Sequence, residues 1–201
     1  MGATQLIPPH GGHLVDRTGA GQEPTKPAIS IQLSQQEQCD LEMIAIGAMS
    51  PLEGFMTEAD FHSVCDNVTL TDGTIWPIPI TCAVHQATAV KIGIGDRVAL
   101  SDDANRLLGY LTVTEKYKCD KKKQTLKVFL TEDAAHPGVK VIMDSGDICL
   151  AGKIDVATAR HEPMFAEHRL GPAQTRAEFQ QRNWKTVAAF QTRNPIHRAH
   201  E

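Results

Sequence analysis

The chain of 201 residues carries a formal net charge of −4, and 41% of its residues are hydrophobic, 22% charged and 5% aromatic. This composition is typical of a soluble globular protein with one domain, or one domain and part of another. The acidic balance and few aromatic side chains exclude a general nucleic-acid binder, and no apolar run reaches the roughly 20 residues of a membrane span. Because the N-terminus also lacks the apolar region of a signal peptide, we expect a cytoplasmic protein.

The first third of the sequence predicts an arm followed by two helices. "PPHGG" and "TGAGQEPTKP", within the first thirty residues, are typical of an extended arm without regular periodicity. "SQQEQCDLEMIAIG" predicts a helix in which Ser34 and Glu37 form a capping box and Gly47 ends the last turn. After the turn-rich "SPLEGFM", Thr57 begins a second short helix that is predicted to continue to about Cys65.

The middle of the sequence predicts a series of short strands. The β-rich runs are "TIWPIPITCAV", "DRVALSD", "RLLGYLTVTEKY", "TLKVFLTE" and "DICLAGKIDVA". Pro77 and Pro79 cannot donate to a ladder, so their strand should lie at an edge or begin extended. Several short strands at this spacing predict a small barrel or half-barrel. The lysine-rich "KYKCDKKKQTLK" favours a solvated hairpin tip over a nucleic-acid contact, because no aromatic or Arg side chain accompanies it.

The cysteines are odd in number, widely spaced and without a C-x-x-C pair. This pattern favours reduced thiols in a cytoplasm over a disulfide framework or a zinc knuckle. The five positions are Cys39, Cys65, Cys82, Cys119 and Cys149.

The composition changes near Arg160, where "RHEPMFAEHRLGP" is typical of a linker. Pro172 predicts the first turn of a helix over "PAQTRAEFQQRN", and Asn183 is suited to the left-handed residue that closes it. "WKTVAAF" then predicts a buried parallel strand. A helix, a strand and a polar loop open an α/β unit, in which ligands bind beyond the carboxyl end of the strand.

The run "FQTRNPIHRAHE" concentrates donors where that strand ends. Arg193 offers a planar fork that suits sulfate or phosphate oxygens, and Gln191 and Asn194 add neutral donors. His197 and His200 share one face if a helix begins here, and the N-terminus of such a helix favours anions. No carboxylate enters the run until its last residue. The run therefore predicts an oxyanion site.

The run also fits two other interpretations. Zinc ligation by His197 and His200 would need a third ligand, and the usual H-E-x-x-H spacing is absent. A solvated loop and helix face carrying Arg193 and both His side chains stays open on composition alone.

"QTRNPIHRAHE" closely resembles the characteristic motif of the ATP sulfurylase (sulfate adenylyltransferase) family. "LIPPHGG", "SPLEGFM", "WPIPIT", "GDRVAL", "HPGV" and "TRAEF" with Trp184 resemble other markers of this family, in the same order. The departures are mild: Ile196 stands where Met is common, and Asn183 where Gly often precedes the Trp. The resemblance implies an α+β fold, with a PUA-like β-barrel domain over residues 1–165 and the beginning of a Rossmann-like nucleotidyltransferase domain over residues 166–201.

The resemblance also implies a reaction, in which ATP and sulfate give adenosine 5′-phosphosulfate and pyrophosphate with Mg²⁺ and no protein-bound metal. Sulfate would be bound by Gln191 and Arg193. The residues implied to contact ATP are Gln191, Thr192, Arg193, Asn194, His197 and His200, and all of these except Gln191 are implied to be catalytic. The expected partners are ATP and sulfate, without nucleic acid or membrane, and the full-length protein is expected to form a homo-oligomer.

In the family that the chain resembles, a second part of the site would lie beyond Glu201, so we expect this chain to be a fragment that is inactive alone. A PUA-like RNA-binding module is the alternative, motivated by the barrel pattern and the lysine run and opposed by the acidity. Several other matching or polar residues are expected to be structural because their spacing offers no nucleophile–base pair. They are Pro51, Glu53, Gly54, His136 and Gly138, with His10 and His13 in the arm.

Overall fold

The computed structural model describes residues 6–19, 29–156, 168–192 and 194–198. The strands are β1 (Ser30–Gln32), β2 (Gly54–Phe55), β3 (Cys82–Val84), β4 (Arg97–Ser101), β5 (Leu107–Lys118) and β6 (Ile148–Val156). The helices are α1 (Gln35–Ala45), α2 (Glu58–Asn67), α3 (Gln86–Ala89), α4 (Lys121–Val128), α5 (Pro137–Asp144) and α6 (Pro172–Gln181), and a 3₁₀ turn covers His10–Gly12. No helix within these ranges is long and apolar enough to cross a membrane.

The sheet is built around the two long antiparallel strands β5 and β6. Its order is β1-β4-β5-β6-β2, with β3 also paired to β6 and β1 parallel to β4. Three short segments share the outer edge of β6: β3, β2 and the N-terminal chain at Thr18. Since no pairing within the described residues joins β1 to these segments, the sheet is open. Of the expected small barrel or half-barrel, the described residues form no closed barrel, because short segments occupy the edge of β6 where a closing strand would pair.

Side chains on the two faces of β6 belong to two separate hydrophobic clusters, because successive residues of a strand point to opposite faces. Leu150 and Ile154 belong to the main core, which packs against Leu41 and Ile44 of α1. The intervening residues Cys149 and Ala151 face the other side and form a smaller cluster beneath α2. Burial of this kind contributes about 25 cal/mol per Å² of apolar surface, so both helices are held mainly by packing against the sheet.

The predicted ends of α1 and α2 are confirmed. The Ser34 side chain accepts a hydrogen bond from the backbone N–H of Glu37. The Glu37 carboxylate in turn accepts a hydrogen bond of 2.8 Å from the backbone N–H of Ser34. Gly47 follows α1 with a φ of 80°, which a residue without Cβ adopts readily. The Thr57 side chain caps α2 by accepting from the N–H of Asp60. These caps satisfy N–H groups that have no partner within the helix.

The predicted strand "TLKVFLTE" and the hairpin tip before it are wrong, because residues 121–128 form the helix α4 instead. The Asp120 side chain accepts from the backbone N–H of Lys123 and begins the helix. Both edges of β5 are already paired, with β4 on one side and β6 on the other. A further strand here would find no partner on β5, so the alternation of Leu126, Val128 and Leu130 has no ladder to join.

The proline-rich part of "TIWPIPITCAV" lies before its strand. Pro77 and Pro79 precede β3, which begins at Cys82 and pairs with the outer edge of β6. The expectation of an edge position is confirmed for the strand that follows the prolines.

The expectation that all cysteines are reduced is wrong for one pair. Cys119 and Cys149 form a disulfide with a Cα–Cα distance of 5.6 Å, while Cys39, Cys65 and Cys82 are free. Residue 119 follows the end of β5 and residue 149 lies near the start of β6, where Tyr117 is the register partner of Cys149. Two cysteines 30 positions apart in sequence are therefore brought together by strand register, which spacing alone does not reveal.

Candidate functional site

The predicted helix at the start of the C-terminal region is confirmed as α6. Pro172 occupies its first turn, and the backbone N–H of Gly171 donates to the side chain of Gln174 at 2.9 Å. Asn183 closes the helix with a φ of 54°, in the left-handed region as expected. The backbone N–H of Trp184 then donates to the carbonyl of Phe179 at 3.0 Å. These local bonds fix how the chain leaves α6.

Side-chain contacts strengthen this turn. The rings of Phe179 and Trp184 stack with centroids 5.9 Å apart, and the guanidinium of Arg182 lies 5.2 Å from the centre of the Trp184 ring. Arg182 also pairs with Glu178 at 3.0 Å. Because α6 buries none of its own side chains, this local group is what stabilises its carboxyl end.

The predicted buried strand "WKTVAAF" is not formed in the structure. Residues 184–190 are exposed throughout and join no strand in the part of the chain that the structure describes. Val187 and Phe190 are 50% and 65% exposed. A parallel strand needs neighbours on both edges and apolar layers on both faces, and the described sheet offers this segment neither.

The polar run that follows begins with a local turn. The backbone N–H of Asn194 donates to Oγ1 of Thr192 at 3.0 Å, and that hydroxyl donates to the carbonyl of Asn194 at 3.3 Å. Such a Thr side chain mimics a backbone turn and orders the loop without a helix. The structure thus brings two of the predicted site residues together.

The described residues of this run are largely open to solvent. Gln191, Asn194 and His197 are exposed, and Thr192 is half-buried. Arg193 and His200 lie outside the described residues, so the structure does not describe how His197 and His200 are placed relative to each other. Their roles in binding sulfate and ATP stay predictions, as does the helix expected to begin near His197.

The lysine run is largely paired with protein groups. Lys123 donates to Asp66 at 2.6 Å and contacts His62 at 3.1 Å, while Lys122 lies 3.6 Å from Glu132. Lys121 donates to the carbonyl of Ser145 at the end of α5 and pairs with Asp147 at 2.9 Å. These side chains tie α4 to α2, α5 and the start of β6, so they form no free basic patch of the kind that nucleic acids select.

The residues expected to be structural have structural contacts. Nδ1 of His136 accepts from the N–H groups of Gly138 and Val139 and caps α5. A Cβ on Gly54 would lie 1.8 Å from the carbonyl oxygen of Gly152. Nε2 of His10 is 2.8 Å from the carbonyl oxygen of Ile75. His136, Gly54 and His10 therefore act in this structure as a helix cap, a close backbone approach and a loop contact.

Two family models match successive parts of the chain. Residues 7–159 match a model described as PUA-like domain, and residues 166–201 match a model described as ATP-sulfurylase. The chain belongs to the PUA-like domain family, and its C-terminal region is similar to the ATP sulfurylases. The second match contains the whole polar run from Gln191, which sequence reasoning also singled out.

Curated relatives extend beyond the chain. A sulfate adenylyltransferase of Symbiobacterium thermophilum is 44% identical over 99% of this chain and 52% of its own length. Those of Synechococcus sp. and Chlorobaculum tepidum are 42% and 44% identical and are covered over 51% of their lengths. The chain thus spans about half the length of the curated relatives it matches.

A solved structure supports the fold. A hexameric APS kinase from Thiobacillus denitrificans matches with a TM-score of 0.70 and 32% identity, over 96% of this chain and 35% of that one. The PUA-like fold is therefore shown for this chain, although its described sheet is open. The boundary at residue 165 and the Rossmann-like continuation stay predictions.

Proposed function

We propose that this chain is the N-terminal part of a sulfate adenylyltransferase and supplies the first segment of its active site. The observation that carries the proposal is the match of residues 166–201 to the ATP-sulfurylase model, which contains the whole run from Gln191. Relatives with that printed name align over nearly all of this chain. The reaction proposed is the transfer of the adenylyl group of ATP to sulfate, with release of pyrophosphate.

The distribution of charge supports binding of two anions at the C-terminal region. Residues 168–198 contain six Lys or Arg side chains and one carboxylate, whereas residues 1–156 contain thirteen basic and twenty acidic side chains. The formal charge is therefore +5 for residues 168–198 and −7 for residues 1–156. Sulfate and the triphosphate repel each other, and a local excess of positive charge offsets that repulsion and raises the rate of encounter.

The residues of the run have separate roles in the proposed mechanism. Arg193 and Gln191 bind sulfate, and Arg193 neutralises part of its charge beside ATP. Thr192 and Asn194 shape the loop, since their mutual bonds set its turn. His197 and His200 donate hydrogen bonds to phosphate oxygens and stabilise negative charge that grows on the leaving pyrophosphate.

The covalent change is a direct displacement. A sulfate oxygen forms a bond to the α-phosphorus while the bond from that phosphorus to the bridging oxygen breaks, and pyrophosphate leaves with the electron pair. Sulfate is already fully ionised, so no general base is needed and no covalent enzyme intermediate forms. Most of the rate enhancement then comes from positioning and from fixed donors, as in other phosphoryl transfers.

Mg²⁺ is proposed to enter with ATP, held by phosphate oxygens. The run itself offers no carboxylate before residue 201. Within the described ranges, no group of three or more His, Cys, Asp or Glu side chains is arranged to hold a metal ion. We also propose a homo-oligomer for the full-length protein, since the similar APS kinase structure is hexameric, and a cytoplasmic location, where ATP is abundant.

The proposal also includes the fold of the C-terminal region. Residues 166–201 would begin a Rossmann-like domain, whose later part buries the segment 184–190 and supplies the opposing half of the site. The exposed apolar side chains of that segment, including Val187 and Phe190, support this, because such residues are normally buried. The chain alone should then bind ATP poorly and fail to turn over.

The test compares the chain alone with a chimera in which the C-terminal half of the Symbiobacterium relative follows Glu201. We expect sulfate-dependent release of pyrophosphate from ATP by the chimera and none by the chain alone. In the chimera, His197→Asn should lower kcat by about 10²–10³-fold, the cost of losing one fixed oxyanion donor, while His13→Asn in the arm serves as the control. Robust turnover by the chain alone, or equal activity of both variants, would contradict the proposal.

A further inference from the structure

The N-terminal arm, defined here as residues 6–19, is firmly attached to the PUA-like body. The Arg17 side chain donates to the carbonyl of Ile154 at 2.7 Å and pairs with Asp155 at 2.5 Å. The backbone N–H of Val15 donates to the side chain of Ser50 at 3.0 Å. These bonds hold the second half of the arm along β6 and the turn after α1.

The first half of the arm is seated against two loops of the body. His10 contacts the carbonyl of Ile75 at 2.8 Å, and its ring lies 6.1 Å from that of Trp76. A Cβ placed on Gly11, whose φ is 70°, would lie 2.5 Å from the ring of Pro51. The arm therefore passes Pro51 at a distance that only glycine permits.

Beyond this seat, the arm reaches α6. The guanidinium of Arg176 donates to the backbone carbonyl of Ile7 at 2.6 Å, across 169 positions of sequence. The side chain of Ile7 is 79% exposed, so the contact uses the backbone of the arm and not its apolar side chain. α6 buries no side chain of its own, and a single charged donor can then decide where the helix lies.

The position of α6 determines where the segment that leads to the polar run begins. The stacked rings of Phe179 and Trp184 join the helix to the first residue of the segment that leads to Gln191. A shift of α6 therefore shifts the start of that segment, and misplacement of reacting groups by about 1 Å can cost 10²-fold in rate.

We propose that Arg176 is a positioning residue: it fastens α6 to the N-terminal arm at the carbonyl of Ile7, and the PUA-like body thereby sets the place of the sulfate-binding run. The proposal rests on the function proposed above. It assigns the PUA-like domain a defined part in the reaction through its arm, without contact to the substrates.

Hydrogen exchange of the 201-residue chain tests the fastening without any activity. Arg176→Met should lower the protection of α6 amides by about tenfold while β5 and β6 stay unchanged, and Arg176→Lys should recover part of it. Gly11→Ala, which displaces the arm from Pro51, should have a similar effect, and the double variant should lose no more than either alone. Ile7→Ala, which keeps the carbonyl, and Arg169→Met, which removes an exposed charge just before α6, are the matched controls.

Unchanged α6 protection in Arg176→Met would overturn the proposal, and so would an equal loss in both controls. If Gly11→Ala lowers protection throughout β5 and β6, the arm is needed for folding and the Arg176→Met result alone decides. The kinetic part of the test uses the chimera. There Arg176→Met should raise the KM for sulfate about tenfold, whereas partial unfolding would lower only the apparent kcat.

The two proposals fail in different ways. A wild-type chimera without sulfate-dependent turnover would refute the proposed function and leave the exchange result standing. An active chimera whose KM for sulfate is the same in Arg176→Met and Arg169→Met would refute the positioning role alone.

Discussion

Reduction of the Cys119–Cys149 disulfide should destabilise the chain measurably. The bond closes a loop of 30 positions that contains α4 and α5. In the chain-entropy model, a loop of this length restricts the unfolded state by about 3.6 kcal/mol at 25 °C. Reduction keeps both sulfur atoms within the cluster that also contains Phe61 and Tyr117, so packing changes little and the loss should approach this value.

Urea unfolding followed by circular dichroism, with and without a dithiol reductant, measures the difference. We expect the reduced chain to lose about 3 kcal/mol of unfolding free energy. The double variant Cys119→Ala with Cys149→Ala is the control, because reductant should no longer affect it. Alkylation of the unreduced, denatured chain should label Cys39, Cys65 and Cys82. Labelling of all five cysteines, or a change below about 1 kcal/mol on reduction, would refute the reasoning.

Three further predictions concern the body. Burial, assisted by nearby Glu37, raises the pKa of Asp40 from 3.8 to about 6. Between about pH 4 and 6 the folded state holds the Asp40 proton that the unfolded state has lost, so the free energy of unfolding should fall as pH rises through this range. Asp40→Asn should therefore add about 1–2 kcal/mol to the free energy of unfolding at pH 7 and nothing at pH 4, as measured by urea unfolding. Gly54→Ala should cost about 2–3 kcal/mol in the same assay, because its Cβ meets the backbone of Gly152, whereas Gly171→Ala should cost little. A salt-titrated RNA gel shift should show no tight binding, and a strong salt-sensitive shift would revive the RNA-binding alternative.

Local signals in the sequence predicted much of the fold. The capping box of α1, the Thr57 cap of α2 and the left-handed Asn183 were predictable because each depends on residues within a few positions. The strands β4, β5 and β6 were predictable from their β-rich runs. α4 was not, because its sequence alternates like a strand and only the occupied edges of β5 exclude one.

Contacts between distant residues could not be predicted in this way. The disulfide depends on the register of β5 and β6, and the bond from Arg176 to Ile7 joins opposite ends of the chain. The open sheet follows from three separate segments sharing one edge of β6. Neither spacing nor composition encodes such pairings.

The sequence predicts which residues form the candidate site but not how their side chains are arranged in space. The motif is contiguous, so the sequence alone predicts an oxyanion site at Gln191, Thr192 and Asn194, and this site stays a prediction. The buried strand expected before it requires neighbours that the described sheet does not provide, and residues 184–190 are exposed instead.

We propose that Arg193 offsets the charge of sulfate beside ATP. The most direct test of this role is the KM for sulfate in the chimera carrying Arg193→Lys, with Arg182→Lys as the matched control. Because lysine keeps the charge but loses the planar fork, we expect the KM to rise at least tenfold for Arg193→Lys and to stay within twofold for Arg182→Lys. Unaltered use of sulfate by an active Arg193→Lys chimera would contradict the account.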